Sequence, residues 1–396
     1  MPSPGDRGFK EAFEELDIPT VRNPRLPQAV IDNAASELIT ADVSMENGPN
    51  AIQSMLRTNY IMIPRDRTRE LVQSIAPDGA EIRAPGNKRP ELVWVALVSV
   101  GPFNEISADG HEKLNAQALR MGDISLPIYA YRDKWSGYLL KIKLLPNSRT
   151  AAAIGHLFLD LVAEYNATPI RVTTDKGSEI GWQSLIQESL RTMCAPDIYL
   201  DEYPATMALK SVHNTVIESL WRWFEQTTVH NLKAWIVKGM EGHIFHPHRP
   251  HHSEIFYWTF VPLIQDQLET FRTYWNYHPV WKQSEKINPS GHTPLVGGAL
   301  HLGHIPAAAF KDPQHENPNS RMCKIDVPLD VQESARAVLE EEVGPREEHL
   351  DCWYSPEFLK LADTTYKEVG SPSITVATAW TVFQSMAARI DQNLYN

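Results

Sequence analysis

Three carboxylates stand in settings that could do chemistry. Asp109 follows the strand-like run 103–108 and precedes Gly110-His111. Asp175 closes the strand-like run 170–174 and precedes the turn Lys176-Gly177. Glu218 sits one turn into a helix that starts near Asn214. The separations are 66 and 43 positions, and carboxylates at strand ends and on a first helical turn can converge on one cleft. Three such groups cannot all stay charged in one site without a cation. Hard divalent ions, Mg²⁺ or Mn²⁺, prefer oxygen ligands and keep positions open for substrate phosphate. Two of them, about 4 Å apart, can activate a nucleophile and stabilise the leaving oxygen of a phosphodiester. With 49 acidic residues in the chain, spacing alone is a weak signal, and the local contexts carry the argument.

The elements that must hold these residues read as strands followed by helices. Residues 92–100, 128–131, 138–145 and 170–174 are strand-like, and Asp133-Lys134-Trp135-Ser136-Gly137 reads as a hairpin turn. The run 148–165 is an amphipathic helix with Ile154, Leu157, Phe158, Leu161 and Val162 on one side, and 182–193 is another. In the helix after Asn214, Ile217, Leu220, Trp221 and Phe224 form a buried stripe; a further helix spans 253–276. Such alternation makes an α/β domain over 91–304. Before it, 28–90 reads as a small helical, helix-turn-helix-like domain with Asp66 as an N-cap, ending in a Pro/Gly-rich linker at 84–90. Residues 1–27 read as a loosely ordered N-terminus, and 305–396 as an irregular, acidic, partly helical tail.

Charge and composition narrow the class. The net charge of −12 argues against coating nucleic acid by bulk charge. It is unevenly spread: −3 over 1–100, −2 over 101–304 and −7 over 305–396. The presumed core is thus nearly neutral, and the acidic tail becomes a candidate autoinhibitor of DNA binding. Glu340, Glu341, Glu342, Glu347 and Glu348 carry much of that acidity, and the plain reading of the run is a solvated helix face or a flexible tail. Three widely spaced cysteines, Cys194, Cys323 and Cys352, support neither a disulfide framework nor a cysteine-rich zinc module. Their sparseness fits an intracellular compartment, and no apolar run reaches the length of a membrane span.

Around the carboxylates, Lys176 is the best-placed cation for a scissile phosphate, with a solvent-exposed turn lysine as the plain alternative. His111 could touch metal or DNA, or serve a local hydrogen bond. Asn214 explains itself as an N-cap, His213 could orient the neighbouring carboxylates, and Arg222 lies along the helix edge with Glu218 and Glu225. Arg57, Arg65, Arg67 and Arg69 read as solvated helix faces or as DNA contacts. His243, His246, His248, His251 and His252 crowd a Pro-rich stretch, 243–252, that reads as a solvated loop, no carboxylate or thiolate spacing completing a metal site.

The motifs Asp109-Gly110-His111 with Lys113-Leu114, Asp175-Lys176-Gly177-Ser178-Glu179, and His213-Asn214 with Ile217-Glu218-Ser219-Leu220-Trp221 resemble the integrase core domain of eukaryotic mobile elements, in the group of retroviral integrases and DDE transposases. The turn at 133–137, Phe260-Val261-Pro262-Leu263-Ile264, Trp275-Asn276-Tyr277-His278-Pro279 and Thr293-Pro294 extend the resemblance, as does the stretch from Ile63-Pro64-Arg65-Asp66 to Arg83, so it covers about residues 40–300. It implies a ribonuclease H-like fold, a mixed five-stranded sheet flanked by helices. It also implies a catalytic, metal-binding triad of Asp109, Asp175 and Glu218 holding two Mg²⁺ or Mn²⁺ ions, with DNA as substrate. Water would first expose a 3′-hydroxyl, which then attacks target DNA. Multimers and a nuclear setting follow from the same resemblance. His111, Lys176, His213, Asn214 and Arg222 become candidates for DNA contact or support of the triad. Three positions depart from the family: Val216 and Ser219 stand where arginines flank the Ile-Glu pair, and Ile180 where an Asn often follows the turn Glu. These departures motivate the alternative, a domesticated or inactive integrase-derived module that binds DNA or protein.

Overall fold

The computed structural model describes residues 18–43, 45–82, 99–209, 214–280, 293–294 and 323–395. The expected linker at 84–90, His213 and residues 305–322 lie outside the described residues, as do most of the expected strand at 92–100 and all but the last ten residues of the expected N-terminus. The chain divides into two compact units, Met1–Val93 and Trp94–Asn396.

The first unit is helical. α1 (Gln28–Ala41), α2 (Pro49–Thr58) and α3 (Arg65–Ile75) bury Ile31, Ala35, Ile39, Ile52, Leu56 and Val72 together. α3 begins after Pro64, so Asp66 lies in its first turn, where a carboxylate favours the helix N-terminus, and is not its cap. Two of the four arginines are engaged locally: Arg67 pairs with Asp32 at 2.8 Å and Glu70 at 2.9 Å, and Arg69 with Asp66 at 3.6 Å. Arg57 and Arg65 are exposed.

The second unit is built on β1 (Glu105–His111), β2 (Ile128–Asp133), β3 (Leu139–Leu144), α4 (Ala151–Tyr165), β4 (Ala167–Thr168), β5 (Arg171–Asp175), α5 (Gly181–Cys194), β6 (Thr206–Leu209), α6 (Thr215–Phe224), α7 (His230–Glu241) and α8 (Pro250–Tyr277). The main sheet has the order β3-β2-β1-β5-β6. β1, β2 and β3 pair antiparallel, whereas β1, β5 and β6 run parallel. This mixed five-stranded sheet between helices is a ribonuclease H-like architecture. Strand alternation sorts the two faces. Ile106, Ala108, Tyr129, Tyr131 and Val172 meet Leu157, Phe158, Leu161 and Val162 of α4. The intervening residues, Asp109 among them, look to the opposite face. The hairpin is closed by Asp133, fully buried, which accepts from Ser136 N at 2.7 Å and Phe103 N at 3.0 Å. β3 would be an open edge; Gln265 and Asn276 of α8 hydrogen-bond its backbone at Leu144, Ile142 and Leu139 and so block further pairing. A π-helical turn, Glu225–Val229, interrupts the long helix expected after Asn214 and separates α6 from α7.

The C-terminal region is not a detached tail. β7 (Ile325–Asp326) pairs with β4, and α9 (Leu329–Val343) lays Leu339 into the core formed by α4. Arg336 and Arg346 both bind Asp160 of α4, at 3.1 and 2.7 Å, and hold its carboxyl below the usual range against the opposing effect of burial. α10 (Pro356–Glu368) and α11 (Ala379–Tyr395) complete the layer; Trp380 packs on Phe256 and Phe260 of α8, and Phe383 on Phe245 and His252. Glu341, Glu342, Glu347 and Glu348 are exposed, so the acidity is the solvated side of packed helices. No helix among the described residues is long and apolar enough to cross a membrane.

This packing assigns different costs to neighbouring residues of α9. Leu339→Ala should lower unfolding free energy by roughly 2–4 kcal/mol in urea titrations, whereas Glu341→Gln and Glu342→Gln should stay within about 0.5 kcal/mol. Equal, negligible effects would mean that α9 is a tail after all.

Candidate metal centre

The separation of 66 between Asp109 and Asp175 is the register of the sheet. Glu105, Ile106 and Ser107 of β1 pair in parallel with Arg171, Val172 and Thr173 of β5, each at that offset. Asp109 and Asp175 stand two residues beyond these pairs at the same offset, on the face away from α4, and the charge of Asp175 reaches Asp109. Asp109 is not the last residue of its strand: the antiparallel pairs Gly110–Tyr129 and His111–Ile128 carry β1 to His111. Its cross-strand partner is Ala130, a small side chain that leaves room above it.

α6 covers that face and buries Val216, Ile217, Leu220, Trp221 and Phe224. Glu218 lies in its first turn, and Trp221 one turn later donates its indole N–H to Asp109 Oδ2 at 2.9 Å. Gly110 N donates to the other oxygen, Oδ1, at 2.8 Å. Asn214 donates Nδ2 to Asp175 Oδ1 at 3.3 Å and to Ala108 O at 3.4 Å.

The three carboxylates feel one another. Burial, and then the charges of Asp175 and Glu218, push Asp109 from about 3.8 up to about 7, against the hydrogen bonds from Trp221 and Gly110. Tyr129, wholly buried behind the site, is held far above its ordinary value by burial and by the charges of Asp109, Glu179 and Asp175. Glu179 is therefore a fourth negative charge at this end of the sheet. The three sequence-predicted ligands do not form a tight ligand shell: they are not among the described groups whose ligand atoms all lie within 4.8 Å.

The other expected residues divide. His111 is buried, its Nε2 3.3 Å from Glu225 Oε1 and its ring 4.8 Å from that of Trp221. Burial lowers its pKa despite Glu225, so His111 braces Trp221 as a neutral ring. Lys176 and Arg222 are exposed, and Asn214 is buried. Asn214 occupies the N-cap position of α6 but its side chain makes no cap hydrogen bond; the carboxamide is spent on Asp175 and β1.

Arg132 and Trp221 were not legible as parts of this site. Arg132, on β2, donates to Val216 O at 2.5 Å, to Ser219 Oγ at 2.6 Å and to Gly137 O at 3.1 Å, and lies 4.8 Å from the Trp275 ring centre. The residues at the two family arginine positions are thus both held by one guanidinium from another element. Burial lowers it to about 10, and it stays cationic, turned inward.

A second group lies elsewhere. His251 and His252, in the first turn of α8, and Asp391 of α11 each offer a ligand atom, all within 4.8 Å of one another, as a candidate metal-binding cluster. The reading of 243–252 as a solvated inter-helix loop holds for His243, His246 and His248, which are exposed between α7 and α8, and is corrected for His251 and His252. His252 is 1% exposed, and the carboxylate that sequence spacing could not supply comes from the last helix. His252 Nδ1 accepts the His246 amide at 3.1 Å, which leaves the ring hydrogen on Nε2, buried without a partner. Asp391 is already engaged by Arg249 at 2.5 Å and faces His251 at 3.1 Å.

Residues 128–291 match a family model described as an integrase core domain. The matched stretch includes Asp175 and Glu218 and begins after Asp109. No curated protein matches the chain.

The raised pKa of Asp109 has a thermodynamic sign. Between about pH 4 and 7 the native carboxyl holds a proton that the unfolded chain has released, so raising the pH across this window destabilises the cation-free protein. Relative to Asp109→Asn, the wild type should lose up to roughly 1.4 kcal/mol per pH unit there, read from urea unfolding in a chelator. A stability difference independent of pH would refute the raised pKa of Asp109.

Proposed function

We propose that the chain is an integrase-derived DNA-binding module that keeps a cation site at Asp109, Asp175 and Glu218 but is not built for efficient strand transfer. The observation that carries this reading is Arg132. The cation beside Glu218 is used up inside the protein on Val216, Ser219 and Trp275, which leaves the exposed Lys176 and Arg222 to meet phosphate. The integrase-core match over 128–291 supports DNA as the partner, and a nuclear setting follows from that partner.

The donor set fits a hard divalent cation. It is all oxygen, its central carboxyl is driven toward neutrality by burial and then by the charges of its neighbours, and Mg²⁺ or Mn²⁺ would supply the missing positive charge. Asp109, Asp175 and Glu218 would hold the ion. When bound, it would neutralise phosphate charge and lower the pKa of a nucleophilic water or hydroxyl. The chain's own contribution is positional: Trp221 and Gly110 fix both oxygens of Asp109, and α6 carries Glu218 over the strand ends.

A second reading is favoured by the shared register of Asp109 and Asp175: metal-dependent DNA cleavage and strand transfer by the same three carboxylates. One experiment separates the two. Labelled duplex DNA is incubated with wild type and Glu218→Gln in Mn²⁺, and binding and nicking are read in parallel over a salt series. Both proteins should bind, with a shallow salt slope matching about three or four neutralised phosphates, and neither should nick. Nicking by the wild type that Glu218→Gln abolishes would establish the second reading. Absence of DNA binding by both would overturn both.

A further inference from the structure

Asn214 touches every segment that carries a carboxylate. Its Nδ2 donates to Ala108 O, the residue before Asp109, at 3.4 Å and to Asp175 Oδ1 at 3.3 Å. Its backbone carbonyl accepts the amide of Glu218 at 3.2 Å. β1, β5 and α6 are far apart in sequence and meet at this one residue, which is 2% exposed. The side chain holds the N-cap position without capping. An asparagine there ordinarily accepts from an amide of the first helical turn. Here the carboxamide is turned to the sheet, and its Oδ1 is buried with no hydrogen-bond partner among the described residues. A group that gives up its local bond and leaves an acceptor unpaired is held by what its other end does.

We infer that Asn214 is a positioning residue: its amide N–H groups tie Asp175 to β1 while its carbonyl anchors the turn bearing Glu218, and this sets the spacing of the three carboxylates for a divalent cation. The inference rests on the proposed cation site. It assigns the NH₂ group the decisive part, because only a donor can bridge a carboxylate and a carbonyl. Aspartate at this position offers two acceptors and would push Asp175 away.

That distinction gives a test with a reversed sign. Mn²⁺ binding to the full chain is measured by the electron paramagnetic resonance signal of the free ion for wild type, Asn214→Asp and Asn214→Ser, alongside the unfolding midpoint in a chelator. If Asn214 acted only through local charge, Asn214→Asp would bind Mn²⁺ more tightly. As a positioning residue, it requires both variants to bind at least about tenfold more weakly while still unfolding cooperatively. Serine serves as a neutral variant that suits the N-cap position, so the test stands if the aspartate variant does not fold. Wild-type affinity in Asn214→Ser, or tighter binding by Asn214→Asp, would overturn the inference and leave the cation site standing. No Mn²⁺ binding by the wild type would instead remove the cation site, and the inference with it.

Discussion

Like charges crowded at the ends of two neighbouring parallel strands are the constraint on which the rest of this structure turns. The pairing of β1 and β5 brings the charge of Asp175 to Asp109, and α6 adds Glu218 to the same field. Left in water these groups would separate; here the sheet forbids it. The chain answers with neutral donors: an indole and a backbone amide on Asp109, a carboxamide on Asp175. None of them cancels the charge, and burial above all, with the charges of Asp175 and Glu218 added, raises Asp109 to about 7.

Around that point each layer has a definable duty. α4 fills the opposite face of the sheet and makes it rigid, and α8 closes the β3 edge with two carboxamides. Arg132 ties β2 to the helix that carries Glu218, contacting the residues two before and one after it. The helix is therefore anchored at positions 216 and 219 by a guanidinium spent inside the protein. The C-terminal helices thicken the same unit through Leu339, Trp380 and Phe383, and their acidity faces solvent.

Much of the architecture was legible because period and turn chemistry agree. The hairpin at 133–137, the helices at 151–165 and 181–194, the strand ending at Asp175 and the first-turn place of Glu218 all follow from local pattern. What stayed hidden depends on distance in sequence. Arg132 is 84 positions from Val216, and Trp221 is 112 from Asp109; no local pattern announces such bonds. Asp391 meets His251 across α8 and α11 for the same reason. The C-terminal region read as a tail because its surface is acidic, while Leu339 and Leu350, which pin it to the core, are single residues among charges. Asn214 looked like a helix cap because its type and place fit one; only the observed bonds show the carboxamide turned to the sheet.

The most direct test is crystallographic: anomalous diffraction from crystals of the full chain grown with Mn²⁺. The account predicts a manganese peak bounded by Asp109, Asp175 and Glu218, with the Trp221 indole still beside Asp109. A map with no peak there, or with manganese only between His251, His252 and Asp391, would contradict it.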